Sequence, residues 1–338
     1  MHPLEKIEQQ LGGELQDFRK AYESALQSDD EMLSKVETYI LSHRGKQLRP
    51  LLLLMSAKMC HGVNEKTIDA AVAFELLHNA SLIHDDVVDD SPLRRGIPAI
   101  QTRWTNKVAI LTGDYLLAKV IALTAGLRNQ KLFYILADVG QTLAQGELLQ
   151  LHTDRSMWIT EAEYMRIIEQ KTAALFAACC QAGAVSSGAS MKMETALKTF
   201  GNELGLVFQM KDDLLDYSDS EDLGKPTMND VRDGKATLPL LISIERAPKN
   251  EADEIRQLTE HLSSNTLSPE AGQTPQEAAS AAEQTILSFV LRYDGIRYVQ
   301  QQMEVHKRRA IEALAAFHDS SLKALMIQLL EYTITRVY

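Results

Sequence analysis

Apolar residues recur along almost the whole chain at intervals of three and four positions, the spacing that places them on one face of an α-helix. No sustained run alternates apolar and polar residues in the way that a half-buried β-strand requires. Glycines interrupt the pattern, for example at Gly45, Gly62, Gly113 and Gly126. The pattern predicts an all-α protein with about ten or more helices and almost no sheet.

One polar segment, residues 263–274, departs from the helical pattern and is rich in Ser, Pro, Gly, Asn and Thr. Such a composition predicts a mobile connection between two helices. An amphipathic pattern resumes after Gly295, with Leu314, Leu322 and Leu329 available to pack against the rest of the chain. We therefore expect residues 1–338 to form a single large helical domain.

An apolar helix is predicted to end in four carboxylates, at Asp85, Asp86, Asp89 and Asp90. Negative charge is unfavourable there, because the helix dipole already places partial negative charge at this end and carboxylates four residues apart repel. Asp85 and Asp89 share one helix face with Asp86 beside them, so their oxygens can converge on a hard cation. Mg²⁺ suits this arrangement, since it takes one or two carboxylates and completes its shell with water and phosphate oxygens.

The same DDxxD spacing recurs at Asp212, Asp213 and Asp216. A single copy is more often a solvated helix end than a metal site. Two copies that both end apolar helices favour a pair of Mg²⁺ sites.

Basic residues accompany both clusters. Lys46 and Arg49 lie three positions apart before another apolar helix, where a diphosphate could bridge the planar guanidinium and the compact ammonium. Each acidic cluster is also followed by a basic loop, with Arg94 and Arg95 after the first, and Lys225 and Lys235 after the second. Metal buffering by the carboxylates alone leaves these basic loops unexplained.

The chain has 338 residues, of which 45% are hydrophobic and 24% charged, and its net charge is −11. This charge argues against sequence-independent binding of nucleic acid, which requires a basic face. Three cysteines, two of them adjacent at Cys179 and Cys180, form no disulfide framework and predict a reducing compartment. The N-terminus lacks signal-peptide features, and the longest strongly apolar run, residues 51–55, is too short to span a bilayer. We expect a cytoplasmic protein.

Several motifs form a specific combination that covers most of the chain: Gly-Lys-x-x-Arg-Pro at 45–50, His78 with the acidic run at 81–86, Arg94-Arg95-Gly96, Gly113-Asp114-Tyr115, Lys171-Thr172, residues 208–216 and residues 234–239. They resemble those of the trans-prenyl transferases, the family of farnesyl, geranylgeranyl and longer polyprenyl diphosphate synthases. The resemblance is closest to bacterial octaprenyl and heptaprenyl synthases. It implies a helical bundle of the isoprenoid synthase type with a central active-site cavity, and a homodimer.

The resemblance also assigns residues to substrates. It implies that isopentenyl diphosphate is held by Lys46, Arg49, His78 and Arg95. It implies that the allylic diphosphate is held by the catalytic residues Arg94, Lys171, Thr172, Gln209, Lys225 and Lys235. Three Mg²⁺ ions would bridge the allylic diphosphate to both acidic motifs, with Asp85, Asp89 and Asp212 as principal ligands and Asp86, Asp213 and Asp216 close by as further ligands or acceptors.

The implied reaction follows from these charges. Magnesium and the basic residues stabilise the diphosphate as it leaves, which produces an allylic carbocation. The C=C bond of isopentenyl diphosphate attacks this cation, and the released diphosphate takes the proton. The oxygens of Thr172 and Gln209 could stabilise the cation, provided that water is excluded.

Product length is expected to depend on Ala80 and Ser81, which lie one turn or more before Asp85 and are small where short-chain members carry bulky aromatic residues. Each helical turn of about 5.4 Å deepens a product tunnel by roughly one isoprene unit. The first motif also lacks the two-residue insertion typical of bacterial farnesyl synthases. These features predict a product near octaprenyl diphosphate, for a quinone side chain. Phe74, Phe133 and Tyr134 are candidates for the tunnel floor.

Several alternatives stay open at this stage. The product could be shorter, at the geranylgeranyl or farnesyl length. A terpene cyclase or head-to-head coupling enzyme shares the metal chemistry but would lack the pocket predicted from Lys46, Arg49 and His78. A non-catalytic synthase subunit would be expected to have lost one acidic cluster. The apolar product also suggests transient membrane contact.

Overall fold

The structure, a computed structural model, describes residues 2–153, 157–217, 228–267 and 273–336. Its regular elements in these ranges are almost entirely helical, so the predicted all-α class is confirmed. The helices are α1 (Pro3–Leu11), α2 (Gly13–Ala25), α3 (Glu31–Ser42), α4 (Leu48–Cys60), α5 (Glu65–Val88), α6 (Ile100–Arg103), α7 (Asn106–Gly126), α8 (Gln130–Thr153), α9 (Glu161–Ile168), α10 (Ala174–Ser186), α11 (Met191–Leu215), α12 (Asn229–Arg232), α13 (Leu238–Arg246), α14 (Lys249–Ser263), α15 (Pro275–Arg292), α16 (Gly295–Ala313) and α17 (Ser321–Thr335).

Three short elements complete the described ranges. A π-helical turn, Glu169–Ala173, joins α9 to α10, and a 3₁₀ turn, Leu314–Ala316, follows α16. Strands β1 (Leu93–Arg94) and β2 (Ile97–Pro98) form a small antiparallel hairpin. The hairpin follows the first acidic cluster and carries Arg94, which places a predicted diphosphate ligand on an ordered turn.

The chain folds into two compact units. Unit 1 consists of Met1–Leu143, Ala174–Asn202 and Ile311–Leu329, and unit 2 consists of Ala144–Ala173, Glu203–Ala310 and Leu330–Tyr338. The single domain over residues 1–338 stays a prediction. The predicted mobile connection at 263–274 begins where α14 ends and stops where Thr274 caps α15, and its residues 268–272 lie outside the described part of the chain.

The core of unit 1 is built by α4, α5 and α10. Leu51–Leu54 are almost fully buried on α4, and each such side chain contributes about 2 kcal/mol through its removal from water. Cys179 and Cys180 are fully buried on α10 and fill the same core. The core fixes the start of α4 and the middle of α5, where the predicted ligands of isopentenyl diphosphate lie.

Helix α7 runs without interruption through Gly113, so the predicted break at this glycine is wrong. A Cβ atom at position 113 would lie only 2.2 Å from Nε2 of His84 on α5. Nε2 of His84 also lies 3.1 Å from the carbonyl oxygen of Ile110. Glycine is therefore needed here for the close approach of α7 to the helix that carries the first acidic motif.

Helix α7 is also long and apolar enough to span a membrane, by length and composition only. Its apolar residues form no long unbroken run, because Thr112, Asp114 and Lys119 interrupt them. The sequence analysis therefore did not predict a helix of membrane-spanning length here. Only 33% of the most apolar 18-residue stretch of this helix is buried within the chain. The helix therefore presents a second apolar face that the described chain does not cover.

In unit 2, α13 forms the centre of the core. Its residues Leu238–Ile244 are buried, and it packs against α9, α14 and α15. The loop before α13 carries Lys235 and Thr237, so the packing of α13 positions the predicted basic loop of the second motif.

Candidate active site

The first acidic motif occupies the C-terminal end of α5, as predicted. Asp89 is the C-cap residue and is exposed, Asp85 is partly exposed, and Asp86 is only 4% exposed. Two nitrogens of Arg94, Nε and Nη2, each lie 2.6 Å from Oδ1 of Asp86. Asp86 therefore orients Arg94, while Asp85 and Asp89 are the more accessible carboxylates.

A cluster of basic residues lies near the start of α4 in unit 1. Gly45 has a φ of 60°, and a Cβ atom there would lie 1.8 Å from Nη1 of Arg95. The Arg95 guanidinium thus lies directly against the Gly45 backbone. The guanidinium of Arg49 lies 4.9 Å from the ring centre of Phe176, and Lys46 is exposed.

Two buried ionisable groups on α5 lie next to these arginines. Burial lowers the pKa of His78 well below its usual value, and the charges of Arg49 and Arg95 lower it further. His78 is therefore neutral at pH 7 and can donate one hydrogen bond. Burial raises the pKa of Glu75 to about 7, against the lowering effect of Arg49 and Arg95. Glu75 is 3% exposed, and its Oε2 atom makes no hydrogen bond in the described structure.

Glu75 should make stability depend on pH. Because its pKa is raised above the ordinary value of 4.5, the folded state binds this proton more tightly than the unfolded state, and stability falls as pH rises from about 4.5 to 7. Glu75→Gln removes the charge and should increase the free energy of unfolding at pH 8 by up to about 3 kcal/mol, with little change at pH 4. Denaturant unfolding across this pH range measures the difference.

The matched control for Glu75 is Glu254→Gln, at an exposed carboxylate on α14. Its free energy of unfolding should differ from wild type by the same small amount at every pH. A Glu75→Gln difference that is equally constant would contradict the raised pKa of Glu75.

The second acidic motif ends α11 in unit 2 and forms a hydrogen-bonded chain. Thr172 donates to Oε1 of Gln209 at 2.8 Å, and Nε2 of Gln209 donates to Oδ1 of Asp213 at 2.9 Å. The hydroxyl of Tyr164 donates to the other oxygen of Asp213. These hydrogen bonds join Thr172 of the π-turn to Gln209 of α11, both of which the sequence analysis selected. They also include Tyr164, which the sequence analysis did not select.

Asp216 and Asp230 extend this acidic cluster. Asp216 accepts hydrogen bonds from the backbone N–H groups of Asn229 and Asp230, at 2.9 and 3.0 Å. Burial raises the pKa of Asp230 to about 8, with Asp213 and Asp216 raising it further and Lys235 lowering it. These closely spaced, buried carboxyl groups favour the binding of a cation at this end of α11.

Lys171, in the π-helical turn, is held by two partners on α8. Its Nζ lies 2.8 Å from Oε2 of Glu147 and donates to Oε1 of Gln150 at 2.5 Å. A π-turn often accompanies a functional site because it shifts the side chains that follow it. The sequence analysis selected Lys171 but did not find its partner Glu147.

A cavity of about 230 Å³ in unit 2 brings some of the predicted residues of this unit together, but the predicted metal ligands Asp212 and Asp216 are not among its lining residues. Its lining includes Lys171, Thr172, Gln209, Asp213 and Lys235. Lys225, also predicted to hold the allylic diphosphate, lies outside the described residues. A second cavity of about 450 Å³ lies in unit 1, with Arg94 and Arg95 among its lining residues.

The predicted metal ligand Asp212 contacts an arginine from the far end of the chain. Nη2 of Arg336 lies 2.6 Å from Oδ1 of Asp212 and donates to the carbonyl oxygen of Phe208 at 3.1 Å. Arg336 lies 124 residues from Asp212 in sequence. No motif marked it, so the sequence analysis missed this contact.

The two predicted gate residues lie on α5 in unit 1. Ala80 is fully buried, and the Ser81 hydroxyl donates to the carbonyl oxygen of His78 at 2.9 Å. Phe74 is 1% exposed, whereas Phe133 and Tyr134 are 42% and 60% exposed in the single chain. Neither gate side chain is large enough to block a channel beside α5.

The acidic motifs supply only part of the ligands that a metal ion requires. In the described ranges, no three Asp, Glu, His or Cys side chains lie close enough together to hold a metal ion without other ligands. Each motif instead offers carboxylate oxygens next to fixed basic residues. This donor set fits Mg²⁺, which keeps several waters and takes its remaining ligands from phosphate.

The family model for polyprenyl synthetase matches residues 30–271. The chain belongs to the polyprenyl synthetase family. It is 31% identical to octaprenyl diphosphate synthase of Haemophilus influenzae, over 99% of this chain and 98% of that protein. It is 35% identical to component 2 of the heptaprenyl diphosphate synthase of Bacillus subtilis, over 80% of this chain and 79% of that protein.

A solved structure shares the fold of this family member. The polyprenyl synthase of Caulobacter crescentus, complexed with calcium and isoprenyl diphosphate, aligns with a TM-score of 0.87 at 31% identity, covering 99% of this chain and 98% of that chain. The predicted isoprenoid synthase fold and the resemblance to trans-prenyl transferases are thus confirmed. The chain is a trans-prenyl diphosphate synthase, and hence a prenyltransferase.

Proposed function

We propose that this prenyltransferase is a Mg²⁺-dependent long-chain synthase that condenses isopentenyl diphosphate with an allylic diphosphate and stops near octaprenyl diphosphate, for use as a quinone side chain. The observation that carries the length is Ala80, a small and fully buried residue one turn before the first acidic motif. The similarity to octaprenyl diphosphate synthase of H. influenzae supports the same length.

Each acidic motif is proposed to bind Mg²⁺ through its accessible carboxylates, with Asp85 and Asp89 at the first and Asp212 at the second. When bound, Mg²⁺ would supply positive charge to the diphosphate and make it a better leaving group. The number of three ions stays a prediction from the family resemblance. Asp86 would act through Arg94, because it holds the guanidinium at 2.6 Å.

The proposed basic ligands of the allylic diphosphate are each held in place within their own unit. Arg94 is held by Asp86 and Lys171 by Glu147, so both cations are oriented before substrate arrives. Such preorganised charge stabilises the developing negative charge of the leaving diphosphate. Oxygen atoms of Thr172 and Gln209 line the same cavity as Lys171 and would stabilise the allylic cation.

A separate pocket for isopentenyl diphosphate is proposed around Lys46, Arg49, His78 and Arg95 in unit 1. His78 is neutral and buried, so it would donate a hydrogen bond without adding charge. Arg49 and Arg95 would supply most of the charge, since each offers two parallel donors to a phosphate. This pocket favours condensation over cyclisation, which needs only one diphosphate.

Incubation with Mg²⁺, labelled isopentenyl diphosphate and farnesyl diphosphate tests the proposal. The expected result is a ladder of products that ends near octaprenyl diphosphate. Because a matched relative is named as component 2 of a heptaprenyl synthase, the chain could instead need a second subunit. Failure of the folded protein to extend any allylic primer would refute an independent synthase, and a dominant geranylgeranyl product would refute the proposed length.

We further propose a homodimer in the cytoplasm that contacts membranes only for product release. The uncovered face of α7 carries Ile110, Leu111 and Ile121, which are 44%, 66% and 62% exposed. A second copy of the chain would bury this apolar face. The proposed cytoplasmic location rests on the three free cysteines.

Negative charge introduced on the uncovered face of α7 should dissociate the proposed homodimer. Leu111→Glu combined with Ile121→Glu would bury two carboxylates in the proposed interface, and the resulting desolvation should shift the protein to monomer at micromolar concentration. Sedimentation velocity measures the change. Met32→Glu with Leu291→Glu, at exposed apolar residues of α3 and α15, is the matched control and should leave the sedimentation coefficient unchanged.

A further inference from the structure

Arg336 makes three contacts with the end of α11 in unit 2. Its Nη2 atom lies 2.6 Å from Oδ1 of Asp212 and 3.1 Å from the carbonyl oxygen of Phe208. Its guanidinium lies 4.2 Å from the centre of the Phe208 ring. The Arg336 side chain is only 11% exposed, whereas that of Asp212 is 40% exposed. An exposed surface pair does not combine a short ion pair, a backbone hydrogen bond and a stacked ring.

These contacts occupy a predicted metal ligand. An oxygen that accepts a hydrogen bond from a guanidinium at 2.6 Å has less electron density to offer a second cation. A divalent ion at Asp212 must therefore share this carboxylate with Arg336 or displace it. In the first motif, Arg94 is bound by Asp86.

We propose that Arg336 is a resident counter-cation of the second acidic motif, which neutralises Asp212 before metal arrives and which a divalent ion must displace. The inference rests on the proposed metal site at Asp212 and adds a regulatory residue to it. Asp212 would then bind metal weakly alone and strongly once a diphosphate supplies further oxygen ligands. Metal binding at the second motif would become conditional on substrate.

Lys211 is a second basic residue next to Asp212. Burial lowers the pKa of Lys211, and the charge of Arg336 lowers it further while Asp212 raises it. Lys211 therefore lies within electrostatic reach of the same carboxylate, whereas Arg336 contacts it directly. Asp213 and Asp216 add negative charge beside Asp212. A variant of Lys211 thus separates the effect of nearby charge from that of direct contact.

The test measures Mn²⁺ binding to the full chain without substrate, by the loss of the paramagnetic resonance signal of free Mn²⁺. Mn²⁺ serves as the probe because it accepts the same oxygen ligands as Mg²⁺. Arg336→Gln should tighten Mn²⁺ binding roughly fivefold, the range of a partly exposed ion pair. Arg336→Lys, which keeps the charge but loses the planar guanidinium that lies over the Phe208 ring, should have an intermediate affinity.

Two controls isolate the contact. Lys211→Gln removes a nearby charge and should tighten Mn²⁺ binding less than Arg336→Gln. Asp212→Asn should weaken Mn²⁺ binding. Adding Arg336→Gln to this variant should then leave the affinity unchanged, because Arg336 affects metal binding only through the Asp212 carboxylate. Circular dichroism and thermal unfolding confirm that each variant is folded.

The outcomes separate the inference from the proposed function. If Asp212→Asn leaves Mn²⁺ affinity unchanged even in the Arg336→Gln background, where the carboxylate is no longer neutralised, the metal assignment at the second motif is wrong. If Asp212→Asn weakens binding but Arg336→Gln has no effect or weakens it, the metal site stands and Arg336 is not a displaced counter-cation. If Lys211→Gln equals Arg336→Gln, the effect is one of general charge, and the inference is overturned.

Discussion

Replacing Asp85 with Asn should reduce kcat/KM for chain extension by about a thousandfold, the upper range for loss of one electrostatic contact to a transition state. Asn keeps the size of the side chain but loses the negative charge that is proposed to hold Mg²⁺ against the diphosphate. The effect should fall mainly on kcat, because the developing charge of the leaving diphosphate is greatest in the transition state. Steady-state rates with farnesyl diphosphate measure it.

Asp90→Asn is the matched control for Asp85. Asp90 is an exposed carboxylate one position after the motif, and its φ of 48° is one that Asn adopts readily. The control should keep at least half of the wild-type rate. Equal losses at Asp85 and Asp90 would indicate a general charge effect and would contradict the assignment of Asp85 as a metal ligand.

The second large effect is expected at Ala80. Ala80→Phe should shorten the main product by several isoprene units, because a phenyl ring on α5 would close a channel that runs beside the helix. The site is fully buried, so a ring without a channel to enter would overpack the core and cost about 1–3 kcal/mol. Product analysis and the unfolding temperature, measured together, distinguish a blocked channel from an overpacked core.

Ala80→Ser provides the size control, since it adds one oxygen and leaves the channel open. Its product should match that of the wild type. A Phe variant that is as stable as wild type and still makes the full-length product would show that no product channel passes Ala80.

Much of the fold and part of the site follow from short-range patterns. The helical spacing of apolar residues gives the all-α class, and the two acidic clusters end α5 and α11, where the sequence places them. Both features depend on residues within a few positions of each other. The same local rules failed at Gly113, where a contact with His84 on another helix overrides the tendency of glycine to end a helix.

The partners of the site residues could not be predicted, because they come from distant parts of the chain. Tyr164 and Asp213 are 49 residues apart, and Arg336 and Asp212 are 124 residues apart. Neither pair has a spacing that a sequence motif could reveal. Glu75 was passed over for a different reason, since a carboxylate inside an apolar helix gives no sign of whether arginines surround it until the fold is known.

The contact between Gly45 and Arg95 shows that a residue without a functional group can position a proposed substrate ligand. Alanine at position 45 would place a methyl group within 1.8 Å of the Arg95 guanidinium and force it away. In a screen of variants, replacement of Gly45 by alanine would therefore have the same effect as loss of the Arg95 charge. An inventory of charged residues alone would therefore undercount the positions at which inherited variation can silence the enzyme.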